Sequence, residues 1–423
     1  MSKPAFIALC LVAFLATAKA TETVTAMFTV KENYRNPKGV FYKSFDQQTM
    51  LSCGHACLQN PRCRATNFRS INNGDGVCEF VDVSPSEISR GLEFDEEWVF
   101  SHNLKDDCRF AICSNGGSCI YDANSDLYRC SCPALWTGDE CQEIKVSKAV
   151  FNFTTLGYHG RRGPTDNKGY KDTILENTLV INGTQTWTAP VAGKYHVTAC
   201  GAAGGDGTSG SKGGKGALVN RTAHLERGDV LKIMVGQKGE TQGDGTVGGG
   251  GGGTFVVHYA TQGNYKVIAV AGGGGGGGIN MDGRHGRPRC DLNLGTGGEV
   301  CAENGATASG GGGGFRGNGT CYKSGICVNE ACNGGGKAFV SGGEGGKGGS
   351  SCDGGFGGGG SCSNSPGGGG GYTGGKVILK VFSNGTRFSF AEGGCSYVPV
   401  PFDGVITTGY NSGDGYATLK LIP

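Results

Sequence analysis

Long apolar runs, a charge bias and paired catalytic motifs are all missing from this sequence. Beyond residue 20 the best uninterrupted apolar stretch, Val267–Ala271, dissolves into glycine. That is far short of the ~20 residues a bilayer-crossing helix needs, so no membrane span is expected. A formal charge of +2, from 38 basic and 36 acidic residues, lacks the basic excess of a nucleic-acid binder and the acidic excess of a mineral-nucleating polyanion. No His-Glu-x-x-His run and no Gly-x-Ser-x-Gly elbow occurs, and the 7 histidines are scattered. The expectation is a protein that is not an enzyme, with no catalytic residue, no cofactor and no metal site. Strings of the form Gly-x-Gly-x-x-Gly do recur, but with 84 glycines chance supplies them, and they say nothing about nucleotides. The Gly-X-Y period of collagen is absent as well.

What is present points outward from the cell. Residues 1–20 have a secretory layout: Lys3, an apolar run from Ala5 to Ala16, and small residues Ala18 and Ala20, after which cleavage is expected. The chain has 20 cysteines, and once Cys10 leaves with the leader an odd number remains, which leaves one thiol free or bridged to another chain. Asn152, Asn182, Asn220, Asn318 and Asn384 each precede Thr by two positions and are candidate glycosylation sites.

Composition divides the mature chain into three domains: 21–105, 106–143 and 144–423. The first has ordinary composition with Cys53, Cys57, Cys63 and Cys78, and the stretch Gln47–Gln59 suits a helix presenting Cys53 and Cys57 on one face. Cys-x3-Cys-x5-Cys, followed by Arg64–Phe68 and the closing Cys78-Glu79-Phe80, resembles a PAN/apple domain. The resemblance implies a helix stapled to a central sheet, with Cys53 paired to Cys78 and Cys57 to Cys63. Four cysteines also admit a zinc site, although no His stands at ligand spacing.

The second part reads Cys108-x4-Cys113-x5-Cys119-x10-Cys130-x-Cys132-x8-Cys141, with Asn115-Gly116-Gly117 and Trp136-Thr137-Gly138 at its turns. This looks like an EGF-like module, a unit too small for a large core and dependent on its bridges. The resemblance implies pairs Cys108–Cys119, Cys113–Cys130 and Cys132–Cys141. The calcium-binding variants carry an acidic or amide residue four before the first cysteine. Here that position is Leu104 and a second calcium position is Ala123, so Asp106 and Asp107 alone remain for an ion.

The third part interleaves short β-branched segments with glycine runs. Strand character is expected at Val150–Phe153, Thr186–Thr188, Lys194–Ala199, Ala217–Leu225, Val230–Val235, Phe255–Tyr259, Lys266–Ala271, Val377–Phe382 and Tyr416–Ile422, which suggests an antiparallel sandwich. The runs Gly248–Gly253, Gly272–Gly278, Gly310–Gly314, Gly357–Gly360 and Gly367–Gly371 read either as flexible tethers or as a collective of polyproline-II-like chains packed without Cβ atoms. The strings Gly201–Gly205, Leu225–Glu240, Gly248–Phe255 and Cys352–Tyr372 resemble the glycine-rich extracellular domain of the anaplastic lymphoma kinase and leukocyte tyrosine kinase family. The resemblance implies a TNF-like antiparallel β-sandwich with an inserted polyglycine-II helix bundle and a Cys352–Cys362 bridge. No kinase accompanies it, and the bridges among Cys200, Cys290, Cys301, Cys321, Cys327, Cys332 and Cys395 are left open.

Two short motifs stand out. Arg227-Gly228-Asp229 falls between two expected strands, where it is either an integrin-binding tip or a plain Gly-Asp turn. Arg284-His285-Gly286-Arg287-Pro288-Arg289 offers sulfated-glycan binding, protease clipping or a solvated loop.

The fold class expected is therefore multi-domain and mainly β: a small α+β PAN/apple-like domain, an EGF-like module and a glycine-rich sandwich. The function expected is that of a secreted structural or adhesive matrix protein, similar in its modules to proteins of coral skeletal organic matrix and so a candidate for biomineral association. The alternative is a soluble module that captures a cytokine or modulates a receptor of the kinase family. Expected partners are matrix proteins or glycans, with integrin or a cytokine as candidates, no nucleic acid, and a bridge to another chain through the odd cysteine.

Overall fold

The computed structural model of the 423-residue chain describes residues 28–44, 49–60, 62–71, 76–82, 91–103, 113–122, 127–207, 210–241, 243, 246–261, 264–289, 295–302, 309–321, 334–348, 352–381, 387–399 and 404–422. It divides into two compact units, Met1–Lys145 and Val146–Pro423. The leader with Cys10, the calcium positions Leu104, Asp106, Asp107 and Ala123, and Cys108, Cys290, Cys327, Cys332 and Asn384 lie outside the described residues.

In the first unit, strands β1 (Phe28–Arg35), β2 (Val40–Ser44), β3 (Ala65–Ser70), β4 (Gly76–Val81) and β5 (Glu93–Asn103) form an antiparallel sheet ordered β1-β5-β3-β4-β2. Helix α1 (Met50–Leu58) follows β2 and is too short to persist alone. It starts on a capping box in which the Thr49 side chain accepts from Ser52 N–H and the Ser52 side chain accepts from Thr49 N–H. Disulfides Cys53–Cys78 and Cys57–Cys63, with Cα separations of 5.6 and 5.2 Å, tie it to β4 and to the approach to β3. Phe68 and Phe80 pack on these sulfurs.

Strand alternation puts Asn67 and Glu79 on the opposite face. Glu79 is 1% exposed and receives Arg35 Nε at 2.9 Å, Arg35 Nη2 at 2.7 Å and Asn67 Nδ2 at 3.1 Å. Burial works against the charged form, and the hydrogen bonds from Arg35 and Asn67 outweigh it, so the carboxyl is held below its ordinary range. The Arg35 guanidinium also lies 4.5 Å from the Trp98 ring.

The same unit continues with β6 (Ser118–Asp122) paired to β7 (Leu127–Ser131), and β8 (Trp136–Thr137) paired to β9 (Glu143–Ile144). Bridges Cys113–Cys130 and Cys132–Cys141 hold them. Asn115 and Gly116 both take left-handed φ, of 52° and 79°. At Gly117 a Cβ would stand 2.7 Å from Cys141 Sγ, which accounts for the Asn-Gly-Gly string.

The second unit has, in chain order, β10 (Val150–Phe153), β11 (Leu179–Ile181), β12 (Thr184–Thr188), β13 (Gly193–Cys200), β14 (Gly216–Leu225), β15 (Val230–Met234), β16 (Thr254–Thr261), β17 (Asn264–Ala271), β18 (Arg287–Arg289), β19 (Val300–Ala302), β20 (Val377–Val381), β21 (Arg387–Ala391), β22 (Cys395–Ser396), β23 (Gly404–Asn411) and β24 (Tyr416–Ile422). Two antiparallel 5-stranded sheets, β10-β24-β13-β14-β23 and β11-β12-β15-β16-β17, share an aromatic core. Trp187 of the second sheet meets Phe151, Phe153 and Tyr195 of the first edge-on, with centroids 4.8, 6.4 and 5.9 Å apart. The other face of the second sheet, through Met234, Phe255 and Val257, packs on Phe315, Phe339 and Phe356 from the glycine runs.

Those runs are buried and hydrogen-bonded, not slack tethers. In Gly248–Gly253 the N–H groups of Gly248 and Gly251 donate to the carbonyls of Gly277 and Gly274. Gly249 and Gly252 donate to Glu240 and Gln237, and Gly250 and Gly253 to Gly360 and Gly357. In Gly272–Gly278 the same rhythm sends Gly273 and Gly276 to Gly370 and Gly367, Gly274 and Gly277 to Ala202 and Gly205, and Gly275 and Gly278 to Arg284 and Met281. Donors that repeat every third residue and fan out to three neighbours are what an extended helix of 3 residues per turn produces when its backbone bonds sideways. The spacing tolerates no side chain: a Cβ on Gly250 would overlap the Gly368 carbonyl, and one on Gly274 the Gly214 carbonyl.

Candidate binding surfaces

Arg227-Gly228-Asp229 forms the turn between β14 and β15, with Asp229 N–H donating to Glu226 O at 3.1 Å and Gly228 at φ 92°. Arg227 and Gly228 are exposed. The Asp229 carboxylate is engaged within the protein: Oδ2 accepts from Glu226 N–H at 2.9 Å and Oδ1 lies 3.2 Å from His258 Nε2. Gly228 N–H and Asp229 O also bond to the backbone of Ala189. A receptor reading this tripeptide through its carboxylate has to displace both partners.

The basic run 284–289 is a strap across the glycine body. Its backbone donates from Arg284 to Ala391 and from Arg287 to Gly394, and β18 runs parallel to β22. Arg287 Nε donates to Gly393 O at 2.9 Å and Nη1 pairs with Glu392 at 3.0 Å, while the Arg284 guanidinium lies 5.5 Å from the Phe390 ring. Two of its arginines are thus committed to the fold. Beside the strap lies a depression of about 650 Å³ lined by Ser211, Asn280, Met281, Asp282, Arg284 and His285. Asp282 Oδ1 accepts from Lys212 N–H and His285 Nδ1 from Lys215 N–H, so these groups brace the strap.

Four of the five sequons are described. Asn152 and Asn220 sit within strands β10 and β14, Asn182 at the β11–β12 turn with φ 47°, and Asn318 within the glycine body. Asn318 Oδ1 accepts from Ala338 N–H at 2.8 Å, and its neighbours Gly319 and Thr320 are buried.

The cysteines separate into bridged and free. Cys352 is joined to Cys362 inside the glycine body, where both are fully buried against Val247. Cys119, Cys321 and Cys395 are disulfide-bonded. Among the described residues the free thiol is Cys200, at the end of β13 and 0% exposed. Burial pushes its pKa up to about 12, against a hydrogen bond with Tyr416 that works to lower it. A thiol so placed cannot bridge to a second chain, which removes Cys200 from the expected intermolecular role.

Residues 106–140 match the EGF-like domain family. Over 96 residues the chain is also 33% identical to the leukocyte tyrosine kinase receptor of Mus musculus, a match covering 21% of this chain and 11% of that receptor. The chain therefore spans a small part of that receptor's length.

Within the EGF-like domain, Cys119 stands opposite Cys130 in the β6–β7 register, and the Asn115 side chain donates to Cys141 O at 2.9 Å, joining the two ends of the module. Among the described residues no group of three or more His, Cys, Asp or Glu is placed to hold a metal ion. No described helix is long and apolar enough to cross a membrane.

Sequence reasoning missed two charged clusters. One is Glu79 with Arg35, which lies 44 positions away. The other joins loop to glycine body: Arg161 Nη1 meets Glu344 at 2.8 Å, its Nε lies 3.4 Å from Asp353, and Gly160 O and Arg161 O accept from Phe356 and Gly345 N–H. Neither cluster has a local motif, because each forms only when distant segments meet.

Proposed function

We propose that this chain is an extracellular structural and adhesive protein in which the glycine-rich body is a stiff, protease-resistant block and the disulfide-stapled modules make the contacts. The carrying observation is the three-neighbour backbone network of the glycine runs, which converts the most flexible residue type into buried, paired structure. The helix bridged to a five-stranded sheet supports a PAN/apple-like reading of the first domain, and the two packed sheets support a TNF-like reading of the sandwich. Disulfides in both units fit an oxidising compartment, and the EGF-like domain fits extracellular protein contacts. Nothing among the described residues singles out a mineral surface.

The test is native-state amide exchange. Amides of Gly248–Gly253 and Gly272–Gly278 should exchange as slowly as those of β13 and β24. Exchange at unstructured-peptide rates, with the sheets still protected, would reduce the protein to small adhesive modules on a tether.

The similarity to a leukocyte tyrosine kinase receptor favours a second reading, a binding module that captures a secreted ligand or modulates a receptor of that kind. Recovery of the native protein from solid matrix supports the first reading, and recovery as a free monomer from fluid supports the second.

A further inference from the structure

The sheet β10-β24-β13-β14-β23 turns Phe151, Val197, Val219 and Leu419 inward, so alternation turns Asn152, Thr198, Asn220 and Thr418 outward. Register places these outward residues on one line across the sheet: Asn152 opposite Thr418, Thr418 opposite Thr198, Thr198 opposite Asn220, and Asn220 opposite Val405. Two of the sequon asparagines thus share one face and one line.

Their hydrogen bonds are alike. Thr418 Oγ1 donates to Asn152 Oδ1 at 3.0 Å, and Thr198 Oγ1 donates to Asn220 Oδ1 at 2.7 Å. Each bond holds the amide by its oxygen and directs the nitrogen, the atom that forms the bond to sugar, away from its threonine. Three strand spacings of about 4.8 Å separate the two, roughly 14 Å. Asn318 is also held by its oxygen, which accepts from Ala338 N–H, but it differs in burial: it sits within the glycine body, and its sequon threonine is only 4% exposed.

We infer that Asn152 and Asn220 carry N-linked glycans that together clothe the outer face of this sheet, whereas Asn318 stays unmodified. The inference rests on the extracellular reading above and adds which face is closed to partners. The line of register ends on Val405, 66% exposed on edge strand β23, which also carries Tyr410 at 52%. An apolar edge strand invites pairing with another chain, and neighbouring glycans hinder that approach. Partners then dock elsewhere on the unit.

The experiment expresses the full chain in a secreting animal cell line and collects the medium. Enzymatic deglycosylation in heavy-oxygen water, followed by peptide mass spectrometry, should label Asn152 and Asn220 in most molecules and leave Asn318 unlabelled. In parallel, a bulky amine-reactive reagent should modify Lys420, exposed on the same face, several-fold faster once the native protein is deglycosylated, with Lys347 of the glycine body unchanged. Secreted protein bare at Asn152 or Asn220, modified at Asn318, or showing no change at Lys420 overturns the inference alone. A chain retained in the cytosol overturns the extracellular reading with it.

Discussion

Replacing Gly250 by Ala separates a packed glycine body from a slack run by the size of one free-energy loss. A Cβ there falls on the carbonyls of Gly368 and Gly367, while Gly250 N–H donates to Gly360 O at 2.9 Å and Gly250 O accepts from Gly355 N–H at 2.9 Å. In a chain slack in both the folded and the unfolded state the substitution restricts both alike, and stability should change by less than about 0.5 kcal/mol. In a packed body, overpacking costs about 1–3 kcal/mol, and each buried group pushed off its partner costs about 1–3 kcal/mol more. The net expectation is a loss of about 3 kcal/mol, which at about 2–4 °C per kcal/mol lowers the melting temperature of the second unit by roughly 6–12 °C. Gly243, with no heavy atom within 4 Å of where its Cβ would stand, is the control, and Gly243→Ala should stay within about 0.5 kcal/mol of the parent. Calorimetry measures both, and amide exchange across Gly248–Gly253 locates the damage. A Gly250→Ala protein that melts at or above the parent temperature refutes the close-packed body.

The same structure sets three further outcomes. Immobilised protein should not support adhesion that soluble RGD peptide inhibits, because Glu226 N–H and His258 hold the Asp229 carboxylate; inhibitable adhesion abolished by Asp229→Glu would contradict this. Glu79 has a folded pKa below its unfolded value, so its stabilisation is present above that unfolded value, near 4.5, and is lost as pH falls through the folded pKa. Glu79→Gln should flatten that acid limb for the first unit, while Glu79→Ala should cost about 3 kcal/mol in denaturant melts by leaving Arg35 unpaired. Cys200 should ignore a thiol reagent at pH 8 in native protein and react after denaturation, and Cys200→Ala should leave the migration of the protein on non-reducing gels unchanged; rapid native labelling would count against its burial.

The legible parts of the fold are those whose signal is local. Strands at Val150–Phe153 and Tyr416–Ile422 coincide with β10 and β24, and most other expected strands differ from those observed by one or two residues at an end. The helix expected over Gln47–Gln59 is shorter, Met50–Leu58, because the Thr49–Ser52 capping box sets its start. In the second unit, strands β11, β18, β19, β21, β22 and β23 have no counterpart among the expected strands. Leu179–Ile181 is only three residues long, Arg387–Ala391 carries charge at its start, and Gly404–Asn411 is interrupted by Gly409 and pairs with a bulge opposite Gly216–Leu218. None of the three readings of the basic run at 284–289, a glycan site, a clipping site or a solvated loop, includes its packing as a strap, because its partners, Glu392 to Gly394, lie about a hundred positions away and have no pattern of their own.

The glycine runs carry the deepest ambiguity, since identical composition describes a flexible tether and a rigid bundle. What separates them is not in the runs. Six consecutive glycines at 248–253 are ordered because three other segments, 237–240, 274–277 and 357–360, present carbonyls at the same three-residue interval. Those segments are in turn held by the Cys352–Cys362 bridge, by the Arg161 clasp on Glu344 and Asp353, and by the Phe315, Phe339 and Phe356 cluster against the sheet. A body built this way exposes few side chains of its own, so rigidity and recognition are divided between different residues: the glycines fix distances, and side-chain chemistry within the second unit falls to the strands and straps that pack on them.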